Sequence, residues 1–253
     1  MAMAYRSSSV KSKWTKTLWL LGDSNLKAYV PATLPFSKSN LKSMLSSYST
    51  VYFKPTNGSG GHSIIRIKKT ESGYQTQLNT VKKNHKTQDE VYYELRRFAG
   101  TKAFLLQKGI RLARTGGRPF DIRVMVQKTN NGRWVNTGLF TKVGRPNKVA
   151  TNYNQGGSIG YFHKTMASAG YKYHSILSKE SKLKQLGIWA GYNFDRHSKG
   201  FKELGLDVAL DSKGKPWILE VNTRPQIYPV KTLKDKSLYK RLLSYGRQYG
   251  RTK

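Results

Sequence analysis

The sequence predicts an α+β fold, with antiparallel sheets backed by helices, and three observations carry that expectation. Hairpin signals and helical-period segments alternate along the chain, which is the order of an α+β protein. At 253 residues and 37% hydrophobic, the chain can bury a core as one large domain or two small lobes. Two late runs, Gly205–Leu210 and Pro216–Asn222, read as a hairpin that is apolar apart from Asp207, Glu220 and Asn222.

The elements follow in order. Residues 1–12 are Ser/Lys-rich and read as a disordered basic lead-in. Trp14 to Leu21 starts an apolar-periodic segment, and Tyr29-Val30-Pro31 reads as an extended stretch. Ser39–Tyr48 places Leu41, Met44, Leu45 and Tyr48 at helical spacing, with Ser39 as the expected N-cap. Strands are expected at 50–54 and 63–69 around a glycine-rich loop. A helix follows at 87–99, with Val91, Leu95 and Phe98 on one face, and then a strand at 103–107. Residues 119–127 and 133–142 read as an antiparallel pair, because Asn130-Asn131-Gly132 favours a tight turn. The polar loop 151–162, a helix at about 178–197, the acidic hairpin and a basic C-terminal helix with Leu238, Leu242 and Tyr245 as its packing face complete the chain.

Composition narrows the function. Lys and Arg number 46 against 13 Asp and Glu, for a formal net charge of +33. That excess is spread along the chain and suits a polyanion such as nucleic acid or an acidic polymer. It equally describes a solvated lysine-rich surface, and no nucleic-acid reader motif accompanies it. Cysteine is absent, which excludes disulfides and thiolate metal sites and points to a reducing interior. No run approaches the roughly 20 apolar residues of a membrane helix. MAMAYRSSSVKSKW lacks the apolar centre of a signal peptide. The expectation is a soluble, cytoplasmic protein with no membrane partner.

In a chain poor in carboxylates, the acidic hairpin is informative. With Ser212–Lys215 as a four-residue loop, Leu210 pairs with Trp217 and Asp207 falls across from Glu220. Like charges directly opposite destabilise a sheet, and a divalent cation would relieve the repulsion. Hard oxygen ligands without His or Cys favour Mg²⁺. Asp207, Glu220 and Asn222 are therefore the candidate metal ligands. A solvent-facing hairpin paired with lysines is the competing reading.

A second constellation lies earlier. In TVYFKPTNGSGGHSIIRIKK, Lys54 ends a strand and Gly58, Ser59, Gly60 and Gly61 turn the chain. Exposed backbone N–H groups beside an ammonium suit a phosphate. The Gly-Lys-Ser/Thr of a Walker A loop is missing, so the loop reads as a hairpin lid over phosphates or as a merely flexible turn. Asp121 and Arg123 share one face of the strand 119–127.

Lys-Pro before a glycine-rich hairpin, then GRPFDIRVMVQ, then ELGLDVALDSKGKPWILEVNTRP resembles the ATP-grasp superfamily, and within it the YheC/YheD group of endospore coat-associated proteins. The resemblance covers roughly residues 13–230. It implies an ATP-grasp fold with ATP held between two α+β lobes, 13–105 and 106–230, followed by a basic helical tail, 231–253. The substrate domain that many such ligases carry at their N-terminus is expected to be reduced or absent.

The resemblance implies an ATP- and Mg²⁺-dependent carboxylate–amine ligase working through an acyl-phosphate. Lys54, and earlier Lys13 or next Lys16, would contact the nucleotide under the Gly58–Gly61 loop. Gln107 with the backbone around Lys108 and Ile110 would meet the adenine, and Arg123 would stabilise the transferred phosphoryl group. Asp121 would orient Arg123, while Asn152, the Gln155-Gly156-Gly157 loop and Arg224 would line the substrate side. His62, His163, His174 and His197 read as structural or surface residues. The acid and amine are unnamed, with an acidic peptide or polymer in view and spore association implied. A catalytically silent coat protein or a polyanion-binding protein are the alternatives.

Overall fold

The computed structural model describes residues 4–58, 63–145 and 156–251. The positions Ser59, Gly60, Gly61, His62, Asn152 and Gln155 lie outside the described residues. No helix among the described residues is long and apolar enough to cross a membrane.

The first sheet is antiparallel throughout. It comprises β1 (Thr33–Pro35), β2 (Thr50–Pro55), β3 (Ile65–Thr70), β4 (Gly73–Leu78), β5 (Val81–His85) and β6 (Phe104–Lys108), in the order β1-β6-β2-β3-β4-β5. Helices α2 (Lys38–Ser47) and α3 (Gln88–Ala99) pack on one face through Leu41, Met44, Leu45, Val91 and Leu95, against Val51, Phe53, Ile65 and Ile67. The N-cap of α2 is Ser37, whose hydroxyl accepts the Asn40 amide at 3.1 Å, in place of the expected Ser39. Ala99 rather than Phe98 completes the buried face of α3. The other sheet face carries Tyr52, Lys54 and Gln107.

The second sheet is larger. It contains β7 (Arg114–Thr115), β8 (Arg118–Lys128), β9 (Trp134–Val143), β10 (Ser158–Tyr161), β11 (Glu203–Leu210) and β12 (Pro216–Asn222). The main path runs β10-β9-β8-β11-β12, and β7 pairs with β8. The β8–β9 hairpin turns at Asn130–Gly132, as the sequence predicts, with the Gly132 amide donating to the Thr129 carbonyl at 2.9 Å. Against one face lie α4 (Phe162–Ser168) and α5 (Tyr173–His197), the latter starting earlier than expected. Ile122, Val124, Val126, Leu206, Val208, Leu183, Leu186 and Phe194 form this core. α5 lies close to the sheet because Gly187 and Gly191 present no side chain. A Cβ on Gly191 would stand 2.5 Å from the Trp134 ring.

Two segments expected elsewhere join this second core. Helix α1 (Lys13–Leu21), capped by Ser12, packs on α5 and β12, and Leu20, Leu26 and Val30 sit in the larger cluster, although residues 13–30 were assigned above to the first lobe. Lys27–Tyr29 form a short 3₁₀ turn, which takes Tyr29 out of the expected extended stretch Tyr29-Val30-Pro31 but leaves Val30 extended. Residues 4–12, expected to be disordered, are tied down through the backbone. The Arg6 amide donates to Tyr249 O and the Ser8 amide to Gly200 O, both at 2.9 Å. Polar side chains hid a segment whose order comes from these main-chain bonds and from long-range side-chain contacts such as Tyr5 to Glu203 and the Val10 amide to Thr223. The opposite sheet face is covered by α6 (Ser237–Arg247) and the 3₁₀ turn before it, where Leu242, Ile227 and Val230 meet Met125 and Phe140.

Candidate active site

β12 is an edge strand, and its edge faces the open side of the first sheet across a cleft. Lys13, Lys16, Lys54, Gln107, Leu219 and Glu220 are among the residues that line it. The hairpin β11–β12 differs from the simple register in one respect. Leu210 pairs with Pro216 rather than Trp217, and a bulge at Leu219 absorbs the difference, so Asp207 still stands opposite Glu220. The bulge also alters the faces. Ile218 and Val221 both point into the core, at 2% and 1% exposure, so Ile218 does not share the Glu220 face as strict alternation requires.

Three lysines converge on this edge. Lys54 is 8% exposed, and its ammonium donates to the Leu219 carbonyl at 3.3 Å, reaching from the first sheet to the second. Burial pushes it down to about 8, with Glu220 opposing and Lys13 reinforcing the shift. Lys13 sits at the start of α1, where its ammonium donates to the Gly58 carbonyl at 2.5 Å and lies 3.7 Å from Glu220 Oε1. Lys16, one turn on, is buried in the same wall, and burial lowers it too.

Around the strand pair lies a second cluster. Arg123 Nε donates to Asp207 Oδ1 at 2.6 Å and Nη2 to Oδ2 at 3.4 Å. Lys142 stands 2.9 Å from Asp207 Oδ1 and 3.1 Å from Asp121 Oδ2. Asn222 Nδ2 donates to Asp207 Oδ2 at 3.2 Å. Burial opposes the Asp207 charge, but Arg123 and Lys142 override it and hold the carboxyl well below the usual range. Burial likewise works against the Arg123 guanidinium, and Asp207 more than offsets it, so its pKa rises. Gly205 makes room for this arrangement, since a Cβ there would lie 3.1 Å from Arg123 Cδ.

Several expected residues sit differently. Asp121 lies against Lys142 on the neighbouring strand, a partner not anticipated, so its ion-pair role passes through Lys142 rather than through Arg123 alone. Arg224 donates to the Ser7 carbonyl and rests over the Tyr5 ring. Gln107 is buried in the cleft wall and donates to Thr33 Oγ1 at 3.1 Å. The Lys108 amide is taken by the Ala32 carbonyl at 2.8 Å. Its side chain lies over Tyr48 and Trp217, and Ile110 is buried. Gly156 is tied through its carbonyl to Arg145. His163 pairs with Glu180 and His197 stacks on Trp19, so neither lines the cleft. Among the described residues no group of three or more His, Cys, Asp or Glu side chains is placed to hold a metal ion. The oxygen set at hand is two carboxylates and one amide.

Lys142 and the Leu219 carbonyl are the site groups that sequence reasoning missed. The hairpin register held part of the signal for Lys142, because pairing outward from the turn brings it to the Phe120–Asp121 end of β8, and a bulge at Met125/Val126 sets it opposite Asp121.

Solved structures place this architecture. The D-alanine–D-alanine ligase from Coxiella burnetii matches with a TM-score of 0.56 at 12% identity, over 95% of this chain and 57% of that one. N5-carboxyaminoimidazole synthase from Aspergillus clavatus, solved with ADP and 5-aminoimidazole ribonucleotide, matches with a TM-score of 0.54 at 12% identity, over 86% of this chain and 45% of that one. The fold is that of the ATP-grasp enzymes. The sequence model of the YheC/D like ATP-grasp family matches residues 3–252, and the chain belongs to that family. Endospore coat-associated protein YheD of Bacillus subtilis (strain 168) is 27% identical over 221 residues, which is 85% of this chain. The chain spans 48% of that relative's length.

Proposed function

We propose that the protein is an ATP- and Mg²⁺-dependent ligase that activates a carboxylate as an acyl-phosphate and joins it to an amine. The observation that carries this reading is the convergence of Lys13, Lys16 and Lys54 on the Glu220 edge, with Arg123 and Lys142 behind it. Five cations against Asp121, Asp207 and Glu220 leave the cleft positive and suited to a polyphosphate. The donor chemistry fits a hard dication. Glu220 is a carboxylate whose one ion pair among the described residues is a 3.7 Å contact with Lys13, and Asn222 follows it by two residues on the same strand.

In this reading Lys54 and Lys13 hold the phosphates from the first-sheet side, and Glu220, Asn222 and Asp207 would hold the cation. When bound, Mg²⁺ offsets charge on the phosphates. Arg123, oriented by Asp207, stabilises the group in transfer, so the protein's part is positioning and charge neutralisation without a proton relay. The test is calorimetric titration with Mg-ATP, followed by ADP release over panels of carboxylates and amines. Saturable Mg-ATP binding with acceptor-dependent ADP release is expected. Absence of Mg-ATP binding at low millimolar concentration would sink the proposal. Spore association, suggested by the relative, belongs to the same proposal.

A second reading, retention on a polyanion, has its own support in where the carboxylates go. Asp23 and Glu203 are buried, Asp121, Asp207 and Glu220 serve the cleft, and Asp211 and Asp235 each accept backbone amides within their own turns. Six of the 13 remain to offset the surface share of 46 Lys and Arg. Binding to a single-stranded oligonucleotide or to polyglutamate is expected to weaken steeply with salt. Affinity unchanged between low and high salt would count against it.

A further inference from the structure

Lys142 is the site cation to which neither the sequence nor the family resemblance gives a part. It is fixed by β9 opposite Asp121, and its side chain is 9% exposed. Its neighbour Asp207 is crowded by donors. Oδ1 takes Arg123 Nε at 2.6 Å and Lys142 Nζ at 2.9 Å, while Oδ2 takes Arg123 Nη2 at 3.4 Å and Asn222 Nδ2 at 3.2 Å. A carboxylate oxygen offers about two lone-pair directions, so both oxygens of Asp207 are fully engaged. Glu220 across the hairpin is in a different state, with its Lys13 contact at 3.7 Å and a quarter of its side chain exposed. The two acids opposite each other are therefore unequal, one closed by cations and one open.

A dication that is to use Asp207 must displace a donor. Arg123 is held by two bonds to the same carboxylate, whereas Lys142 makes one and has a second acceptor, Asp121, at 3.1 Å. Lys142 is the group that yields, and a polyphosphate gives its ammonium a further anion to face. We propose that Lys142 is a resident counter-ion that withholds Asp207 from a divalent cation until a polyphosphate enters, so that cation and nucleotide bind together rather than in sequence. This rests on the nucleotide reading of the cleft.

The test uses Mn²⁺ alone on the full nucleotide-free chain, with free Mn²⁺ followed by electron paramagnetic resonance. Wild type is expected to bind Mn²⁺ weakly, and Lys142→Met to bind it roughly tenfold or more tightly, since a like charge beside the ligand is removed. Lys142→Arg keeps the charge and is expected to stay as weak as wild type. Equal Mn²⁺ affinity in wild type and Lys142→Met overturns the proposal. Should Lys142→Met fail to fold by circular dichroism, Lys142→Gln, which keeps a donor for Asp121 without the charge, carries the same prediction and the same failure condition. Titration with ADP in parallel separates the two ideas. A wild type that binds no ADP, beside a Lys142→Met that gains Mn²⁺ affinity, overturns the nucleotide reading and the coupled entry while leaving the counter-ion role standing.

Discussion

Lys54→Met is expected to melt at a higher temperature than wild type at neutral pH while losing nucleotide affinity. The two effects have one cause. Burial pushes the Lys54 ammonium from its usual 10.5 to about 8, so keeping it charged in the fold costs about 3 kcal/mol at pH 7. Methionine has a similar shape and no charge to bury. Part of the gain is lost because Glu220 forfeits a nearby cation and the Leu219 carbonyl a donor, leaving a rise of a few degrees.

The sign with pH follows from linkage. A lysine whose folded pKa lies below its unfolded one binds fewer protons folded than unfolded between about 8 and 10.5, so wild-type stability rises with pH across that window. Below it both states are protonated and the cost is constant. The advantage of Lys54→Met is therefore largest at neutral pH and shrinks above pH 8, which scanning calorimetry at pH 7, 9 and 10.5 measures. Affinity for Mg-ATP is expected to fall roughly 10- to 100-fold in the variant, the worth of a charge-assisted contact. In wild type it is expected to decline as pH passes through about 8. A variant that melts lower than wild type at pH 7 would show that the buried ammonium stabilises the fold.

Asp207→Asn and Glu220→Gln are expected to weaken Mg-ATP binding alike and to differ in stability. Asp207 is bound to Arg123 and Lys142 behind the hairpin, and losing its charge leaves a buried guanidinium facing an amide. Removing one partner of a buried pair costs about 3–5 kcal/mol. Asp121 still faces Lys142, which favours the lower end. Glu220 has one ion pair within 4 Å among the described residues, with Lys13 at 3.7 Å, and is partly solvated, so its loss costs under about 1 kcal/mol. Acid titration separates them further. The Asp207 carboxyl sits below its unfolded value of 3.8, so its contribution is present above about pH 4 and is lost as pH falls through the folded value. Urea melts at pH 7 and pH 3 should bring wild type and Asp207→Asn closer together at the lower pH. Equal urea midpoints for both variants at pH 7 would overturn this division of labour.

The elements most legible in the sequence were those whose signal is local. Asn-Gly between two alternating runs placed the β8–β9 turn, and periodicity placed α2 and α3 to within a residue or two. The opposition of Asp207 and Glu220 was legible too, although by a route that needed correcting. A four-residue loop gave the right pair, and the structure reaches it with Pro216 in register and Leu219 bulged. β4 and β5 escaped notice because β4 offers only Tyr74 and Leu78 as apolar residues and β5 is an exposed Val-Lys-Lys-Asn run, and their order comes from pairing in series, β4 to β3 and β5 to β4. The seat of α1 on the second sheet is a long-range packing choice that no local pattern encodes. Lys142 was lost among 46 cations, since burial rather than residue type sets it apart.

The Leu219 bulge has a consequence for how the cleft can vary. Lys54 reaches across to a main-chain carbonyl, and any residue at that position supplies the same oxygen. Side-chain drift at 219 therefore leaves the contact between the halves untouched, whereas deletion of a single residue there would erase it while keeping Asp207 opposite Glu220. This contact is written in the length of one strand, and it is insertions and deletions in this hairpin, more than substitutions, that would remove it, leaving the Lys13 bonds to Thr56 and Gly58 to join the two halves.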